Sequence, residues 1–181
     1  MEQLKVCGSA NICGEVTISG NKNAALPMIA ALMLTDEEVV LHNVPDILDV
    51  RTMLEIAGTL GASYDFKNNT LRFCCRDIKD TVVSQELCSR NRTSILFAAP
   101  LLARCGKVEL YPPGGDVIGR RRLDGHFYGL KTLGGIMSGD WTYKFTAPNG
   151  LEGKELFLDE CSVTATEQIM MAAVVSKGVT S

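Results

Sequence analysis

The 181-residue chain carries 18 Lys and Arg against 21 Asp and Glu, a formal net charge of -3, with 46% hydrophobic and 22% charged residues. That composition suits one folded domain with a sizeable core and excludes a disordered or fibrous chain. It offers no overall attraction to nucleic acid or to an anionic membrane, so neither is expected as a partner, and any anion site must be local.

The opening stretch MEQLKVCGSA lacks the basic region and apolar run of a secretory signal. The longest uncharged apolar stretch, Ala24 to Leu34, is too short to cross a bilayer, so a cytoplasmic protein is expected. Seven cysteines without paired CxxC spacing predict reduced structural thiols and no metal site; the adjacent Cys74 and Cys75 would point to opposite faces of a strand.

In chain order, NAALPMIAALML reads as an apolar helix that Pro27 should start or kink, followed by a charged turn and the strand EVVLHNV. From Asp49 to Ala62, apolar residues at 50, 53, 54, 57 and 60 have helical spacing, and Gly61 is a plausible stop. The pattern then returns. TSILFAAPLLAR is a second apolar run, again with a proline, Pro100, and KVELY is its strand. Arg122 to Gly135 aligns with Asp49 to Ala62 at a spacing of 73 residues and shares its Leu-Gly ending. A third copy begins at SVTATEQIMMAAVVSKGVTS, with Gly178 standing 72 residues after Gly106, and its strand should begin where the sequence stops. One such unit cannot bury its apolar face alone, so stacked copies sharing one core are expected, and the chain reads as a piece of a longer protein. An all-helical solenoid is the alternative that the strands oppose.

Polar residues gather ahead of the first helix in each copy: SGNKNAA, SRNRTS and ECSVTAT. Helix amino ends expose unpaired N–H groups and partial positive charge, which makes them anion sites, and Lys22 and Arg92 add full charges there. Plain capping by Ser, Asn and Thr explains the same residues. Between strand and helix in the second copy lies PPGGDVIGRRRLDGHF, with glycines at 114 and 115 and arginines at 120, 121 and 122. Guanidinium groups suit phosphate and carboxylate recognition, while a solvated basic loop is the bland reading. Asp116 could cap a turn, and His126 could be a helix surface residue or a proton-transfer group near neutral pH.

Taken together, GEVTISGNKNAALPMIAALMLTDEEVVLHNVPDILDVRTML, RTSILFAAPLLAR, PGGDVIGRRRLDGH and SVTATEQIMMAA resemble the UDP-N-acetylglucosamine 1-carboxyvinyltransferase family of enolpyruvyl transferases, along essentially the whole chain. The resemblance implies an α/β fold: an inside-out α/β barrel of repeated βαβαββ units in two lobes, with the active site in the cleft between them. Residues 1–20 would then be strands that associate with the second lobe, and residues 21–181 a first lobe with its third unit incomplete. It also implies transfer of the enolpyruvyl group of phosphoenolpyruvate to the 3-hydroxyl of UDP-N-acetylglucosamine with release of phosphate, the first committed step of peptidoglycan synthesis. No cofactor is implied. The partners are the two substrates and the second lobe, without which the chain should be inactive and should expose an apolar face. By motif, Lys22 and Asn23 would contact phosphoenolpyruvate, and Arg92 the nucleotide sugar. Arg121, Arg122, Leu123, Asp124 and Gly125, with Glu160, Cys161, Ser162 and Val163, would line the uridine and diphosphate, and Arg121 would also reach the phosphoenolpyruvate phosphate.

Two departures stand out. The family's usual loop residue is a cysteine, the proton donor alkylated by fosfomycin, and here it is Asp116; some members carry Asp there and remain active. A carboxyl group with a raised pKa can serve as the acid, yet offers no soft thiolate to an epoxide, so fosfomycin resistance is expected. Glu160 stands where some members are basic, which disfavours a diphosphate nearby. A paralogue with another acceptor, or a substrate-binding module without turnover, are the competing readings.

Overall fold

The computed structural model describes residues 3–8, 11–115 and 122–181. The first unit runs from helix α1 (Lys22–Ala31), which tightens into a 3-10 turn at Leu32–Leu34, through β1 (Val39–Leu41) and helix α2 (Leu48–Thr59) to β2 (Ser63–Lys67) and β3 (Thr70–Cys74). A short strand β4 (Val82–Val83) and helix α3 (Gln85–Arg90) precede the second unit. That unit comprises a 3-10 segment (Arg92–Phe97), α4 (Ala98–Cys105), β5 (Lys107–Leu110), α5 (Asp124–Thr132), β6 (Ile136–Ser138) and β7 (Tyr143–Thr146). Helix α6 (Val163–Val174) opens the third.

The repeat expected from the sequence holds at the level of strand order. β1-β3-β2 form one antiparallel sheet, and β5-β7-β6 repeat that order in the other, with β4 added parallel to β5 at its edge. Leu60-Gly61 and Leu133-Gly134 close the paired second helices, and both glycines adopt left-handed backbone (φ 116° and 106°) that a side chain would strain. The third unit goes further than its sequence indicated. Lys177 pairs in parallel with Glu152, and the Gly153 N–H donates to the Lys177 carbonyl at 2.7 Å and the Leu156 N–H to that of Ser181 at 2.8 Å, a pairing of the same parallel sense as β4 on β5.

The two proline-containing runs depart from the simple kinked helices expected. In the first, Pro27 is accommodated within α1 and the chain tightens only after Ala31. In the second, the segment is 3-10 until Phe97, which places Pro100 at the third position of α4, where a missing N–H costs no intrahelical bond. α3 was not foreseen; Ser84 starts it by accepting from the Leu87 N–H at 3.3 Å.

The core forms where the opening helices of the three units meet. Leu26, Ile29, Ile95, Leu96, Leu101 and Ala172 are buried there with Met33 and Met53, and α2 and α5 cover the outer flanks of α1 and α6. Gly129 allows the α5–α6 contact, since a Cβ there would lie 2.3 Å from Ile169 Cγ1. Val163, Met170 and Val174 leave an exposed apolar stripe along α6. Residues 3–8 and 11–20 carry no regular secondary structure, and Leu4, Val6, Ile12, Val16 and Ile18 are all exposed. All seven cysteines are free thiols; Cys75 is buried and Cys74 half-buried. Among the described residues no helix is long and apolar enough to cross a membrane.

One side chain ties the units together. The guanidinium of Arg104, on α4, donates to the carbonyls of Met33, Thr35 and Cys75 (3.0, 3.2 and 2.7 Å) and to that of Arg76 (2.8 Å), so one cation satisfies chain ends from two turns of the first unit. Arg104→Met should leave these acceptors without their donor and lower stability by about 3 kcal/mol. Urea denaturation checks this: the midpoint should fall with the slope unchanged, and an unaltered midpoint would show the contacts to be idle.

Candidate functional site

Each opening helix starts with a polar cap. Asn21 Oδ1 accepts from the N–H groups of Asn23 and Ala24 (2.7 and 3.3 Å), Asn91 Oδ1 from that of Thr93 (2.8 Å), and Ser162 Oγ from that of Ala165 (3.3 Å). The capping reading of these motifs is therefore correct for Asn21, Asn91 and Ser162. It leaves the neighbouring cations unexplained. Because the helices pack side by side with the same sense, their amino ends open onto one cavity of about 440 Å³, lined by Lys22, Asn23, Asp49, Arg92, Thr93, Gly115 and Thr164 among others. Three partial positive helix ends and three full cations, Lys22, Arg90 and Arg92, with the carboxylate Asp49, thus face a single space in a chain of net negative charge.

Lys22, the first residue of α1, is held by Asp49 at 2.5 Å, from the first turn of α2. Asp49 escaped the sequence reading because 27 residues separate the pair. Asn91, buried, also reaches it by donating to the Asp49 carbonyl at 3.3 Å. The glycine-rich loop enters this cavity at Gly115, whose φ of 100° and lack of a side chain let it lie against Arg92. Gly114 is fixed just before it: its N–H donates to the Cys88 carbonyl at 2.9 Å, and a Cβ would fall 1.8 Å from the Ser89 carbonyl oxygen.

Asp116 and Arg121 lie outside the described residues. Arg92 Nη2 donates to the Arg122 carbonyl at 3.1 Å. The Arg122 guanidinium pairs with the Asp124 carboxylate two residues on. Leu123 is half-buried and precedes α5, which Asp124 begins; Gly125, in the first turn of α5, packs against α6, where a Cβ would lie 3.3 Å from that of Ala165. Arg122, Leu123 and Asp124 share a second concave space with Arg92, Pro112 and Pro113.

Glu160, Cys161, Ser162 and Val163 form the turn into α6 and line a third, mainly apolar groove with Leu156, Phe157 and Leu158. Val163 and Glu167 also line a small cavity of about 210 Å³ that includes Asn23, Thr93 and Thr164, so the groove continues into the helix-end cavity. Burial pushes the Glu167 carboxyl above its usual range. All the described candidate residues except Gly125 therefore line one connected strip, with Arg92 and Val163 as the joints.

His126 is neither a surface residue nor open to solvent. It is 2% exposed, with Nδ1 2.6 Å from Gln168 Oε1 and Nε2 3.1 Å from Thr164 Oγ1, both on α6. The sequence held a partial signal, since Thr164 and Gln168 are four apart and so share a helix face.

Comparison with solved structures places the fold. The enolpyruvyl transferase NikO from Streptomyces tendae superposes with a TM-score of 0.80 at 19% identity over 96% of this chain and 41% of that one. EPSP synthase from Acinetobacter baumannii gives a TM-score of 0.71 at 16% identity, over 91% and 39%. The architecture is thus the α/β lobe of the enolpyruvyl transferases. A family model described as EPSP synthase (3-phosphoshikimate 1-carboxyvinyltransferase) matches residues 6–181, and the chain belongs to that family. Among curated relatives it is 48% identical over 178 residues to the UDP-N-acetylglucosamine 1-carboxyvinyltransferase of Borreliella burgdorferi and 49% identical over 179 residues to that of Bradyrhizobium diazoefficiens. It spans 42% and 41% of the length of those two proteins.

Burial is the main influence on His126 and pushes its pKa down; the Gln168 contact opposes this, and the Arg92 charge adds to the lowering. A histidine harder to protonate in the folded state than in the unfolded one makes the unfolded state bind more protons, so stability is lost as pH falls below the ordinary value of about 6.5. Between pH 7.5 and 5.5 stability should therefore fall. Denaturation at the two pH values should show a smaller drop for His126→Gln than for the wild type, and equal drops would place the titration elsewhere.

Proposed function

We propose that this chain supplies one lobe of an enolpyruvyl transferase that acts on phosphoenolpyruvate and UDP-N-acetylglucosamine in the cytoplasm, at the entry to peptidoglycan synthesis. The observation that carries this reading is the convergence of three capped helix ends with Lys22, Asn23 and Arg92 on one cavity, at the entry of the loop bearing Asp116. Two phosphorylated substrates need such concentrated positive charge. The names of the relatives, all matched over most of this chain, support the same pair.

In this reading the acceptor's 3-hydroxyl oxygen bonds to C2 of phosphoenolpyruvate and gives up its proton to a base on the second lobe, while Asp116 protonates the methylene carbon C3. The product is a tetrahedral ketal that still carries phosphate. Loss of a proton from C3 then re-forms the double bond as the C2–O bond to phosphate breaks. Lys22 and Asn23 hold the phosphoenolpyruvate anion, joined by Arg121 at its phosphate; Arg92, Arg121 to Gly125 and Glu160 to Val163 hold the nucleotide sugar. The apolar groove of Leu156, Phe157 and Leu158 beside Glu160 suits a flat uracil ring. The second lobe closes the open side of the strip and supplies the remaining groups.

Phosphate release by the chain joined to a second lobe tests the reaction. Wild type should release phosphate only when both substrates are present, and Asp116→Asn should be slower by about a hundredfold or more. A folded wild type that releases none would refute the assignment. The same protein should tolerate fosfomycin, because a carboxylate is a poor nucleophile toward the epoxide compared with a thiolate. Asp116→Cys should convert it to a sensitive enzyme with a covalent adduct at that residue, and an adduct on Asp116 itself in the wild type would overturn the resistance.

A further inference from the structure

Three side chains beside the helix-end cavity have no part in the reading above: His126, Gln168 and Thr164. They form a line. Gln168 is fully buried, and its amide oxygen faces His126 Nδ1 at 2.6 Å, so Nδ1 carries the hydrogen and donates it. A neutral imidazole then has a bare Nε2, which must accept, and its neighbour at 3.1 Å is the Thr164 hydroxyl. The hydroxyl hydrogen is thereby committed to the ring. Thr164 also lines the cavity, and the hydrogen-bonding capacity left to its oxygen is its lone pairs.

The arrangement is held against a cost. Gln168 Nε2 is buried without a hydrogen-bond partner, and an orphaned amide N–H group is among the rarer defects of folded proteins. Fixing the ring tautomer is what the orphan accompanies. Burial and the Arg92 charge both keep the imidazole neutral, as the accepting role requires.

The surroundings of Thr164 give its orientation a meaning. Lys22, Arg90, Arg92, Asn23 and the helix N–H groups offer donors to the cavity, which suits phosphate and carboxylate oxygens, while its carboxylate, Asp49, is already engaged by Lys22. Phosphoenolpyruvate as a trianion has acceptors alone. A hydroxyl or amide N–H, by contrast, needs an acceptor, and a nucleotide sugar carries both kinds of group.

We propose that Thr164 is a specificity-determining residue for the acceptor substrate, its oxygen held as a hydrogen-bond acceptor by His126 and Gln168 so that it takes a hydroxyl or amide N–H of the sugar. The assignment rests on the reading of the cavity as an enolpyruvyl transferase site. His126 and Gln168 are positioning residues in it and touch no substrate.

Two measurements decide the matter. Ring 15N shifts of the histidines, with His42 removed by His42→Asn to leave one signal set, report the tautomer of His126 directly. Hydrogen on Nδ1 is expected, and hydrogen on Nε2 would overturn the proposal whatever the protein's reaction. Calorimetric titration of the chain joined to a second lobe then compares wild type, Thr164→Val and Thr164→Ser. Valine should weaken UDP-N-acetylglucosamine binding about tenfold while leaving phosphoenolpyruvate binding unchanged, and serine should restore the first. Equal sugar-nucleotide binding by all three, or a parallel loss for both ligands in the valine variant, would sink the role given to Thr164 even where phosphate release upholds the reaction. Discrimination by Thr164 in a protein that releases no phosphate would keep the residue's role and discard the reaction. Absence of sugar-nucleotide binding by the wild type would discard both.

Discussion

The parallel packing of three opening helices is the constraint from which the site follows. α1, the Arg92–Cys105 segment and α6 bury their apolar flanks on one another, so their axes share a sense and their amino ends finish together. Like partial charges crowd there at an electrostatic cost. Caps at Asn21, Asn91 and Ser162 offset some of it by filling orphan donors, and Asp49 beside Lys22 offsets more. The remainder leaves that space suited to an anion.

The second unit departs from the first in the connection after its first strand. Residues 42–47 join β1 to α2, but residues 111–123 join β5 to α5, although the helices close on the same Leu-Gly pair. The longer connection is tethered at both ends to one side chain. Gly115 lies against Arg92 before it, and the Arg122 carbonyl accepts from Arg92 after it. An arginine of the opening segment thus contacts the chain both before and after residues 116–121.

What was legible in the sequence depended on whether the signal was local. The Leu-Gly endings could be read because a left-handed residue after a helix selects glycine, and the caps because Asn and Ser are suited to that position. The choice between 3-10 and α around Pro27 and Pro100 could not, since both prolines sit in equally apolar runs and the outcome is set by what packs on each. Lys22 with Asp49 and Arg104 with the Met33 and Cys75 carbonyls were hidden for another reason: they join segments that only the stacked units bring together. His126 shows the limit of a helical pattern, in which a polar residue defaults to solvent; Gln168 and Thr164 on a second helix make its burial tolerable.

Openness is the last property to be reconciled with function. Lys22 has about half its side chain in water, and ion pairs and anion contacts at such a surface are weak because solvent screens them. The proton transfer to a methylene carbon in the proposed reaction also needs an acid that keeps its proton near neutral pH, which a solvated carboxyl does not do. Both difficulties have one remedy, a second wall that expels water from the strip. Desolvation would strengthen the pull of Lys22, Arg92 and the helix ends on phosphate, and it would raise the pKa of a nearby carboxyl at the same time. Charge concentrated on one face is therefore of limited use until that face is covered, as the proposed second lobe would cover it.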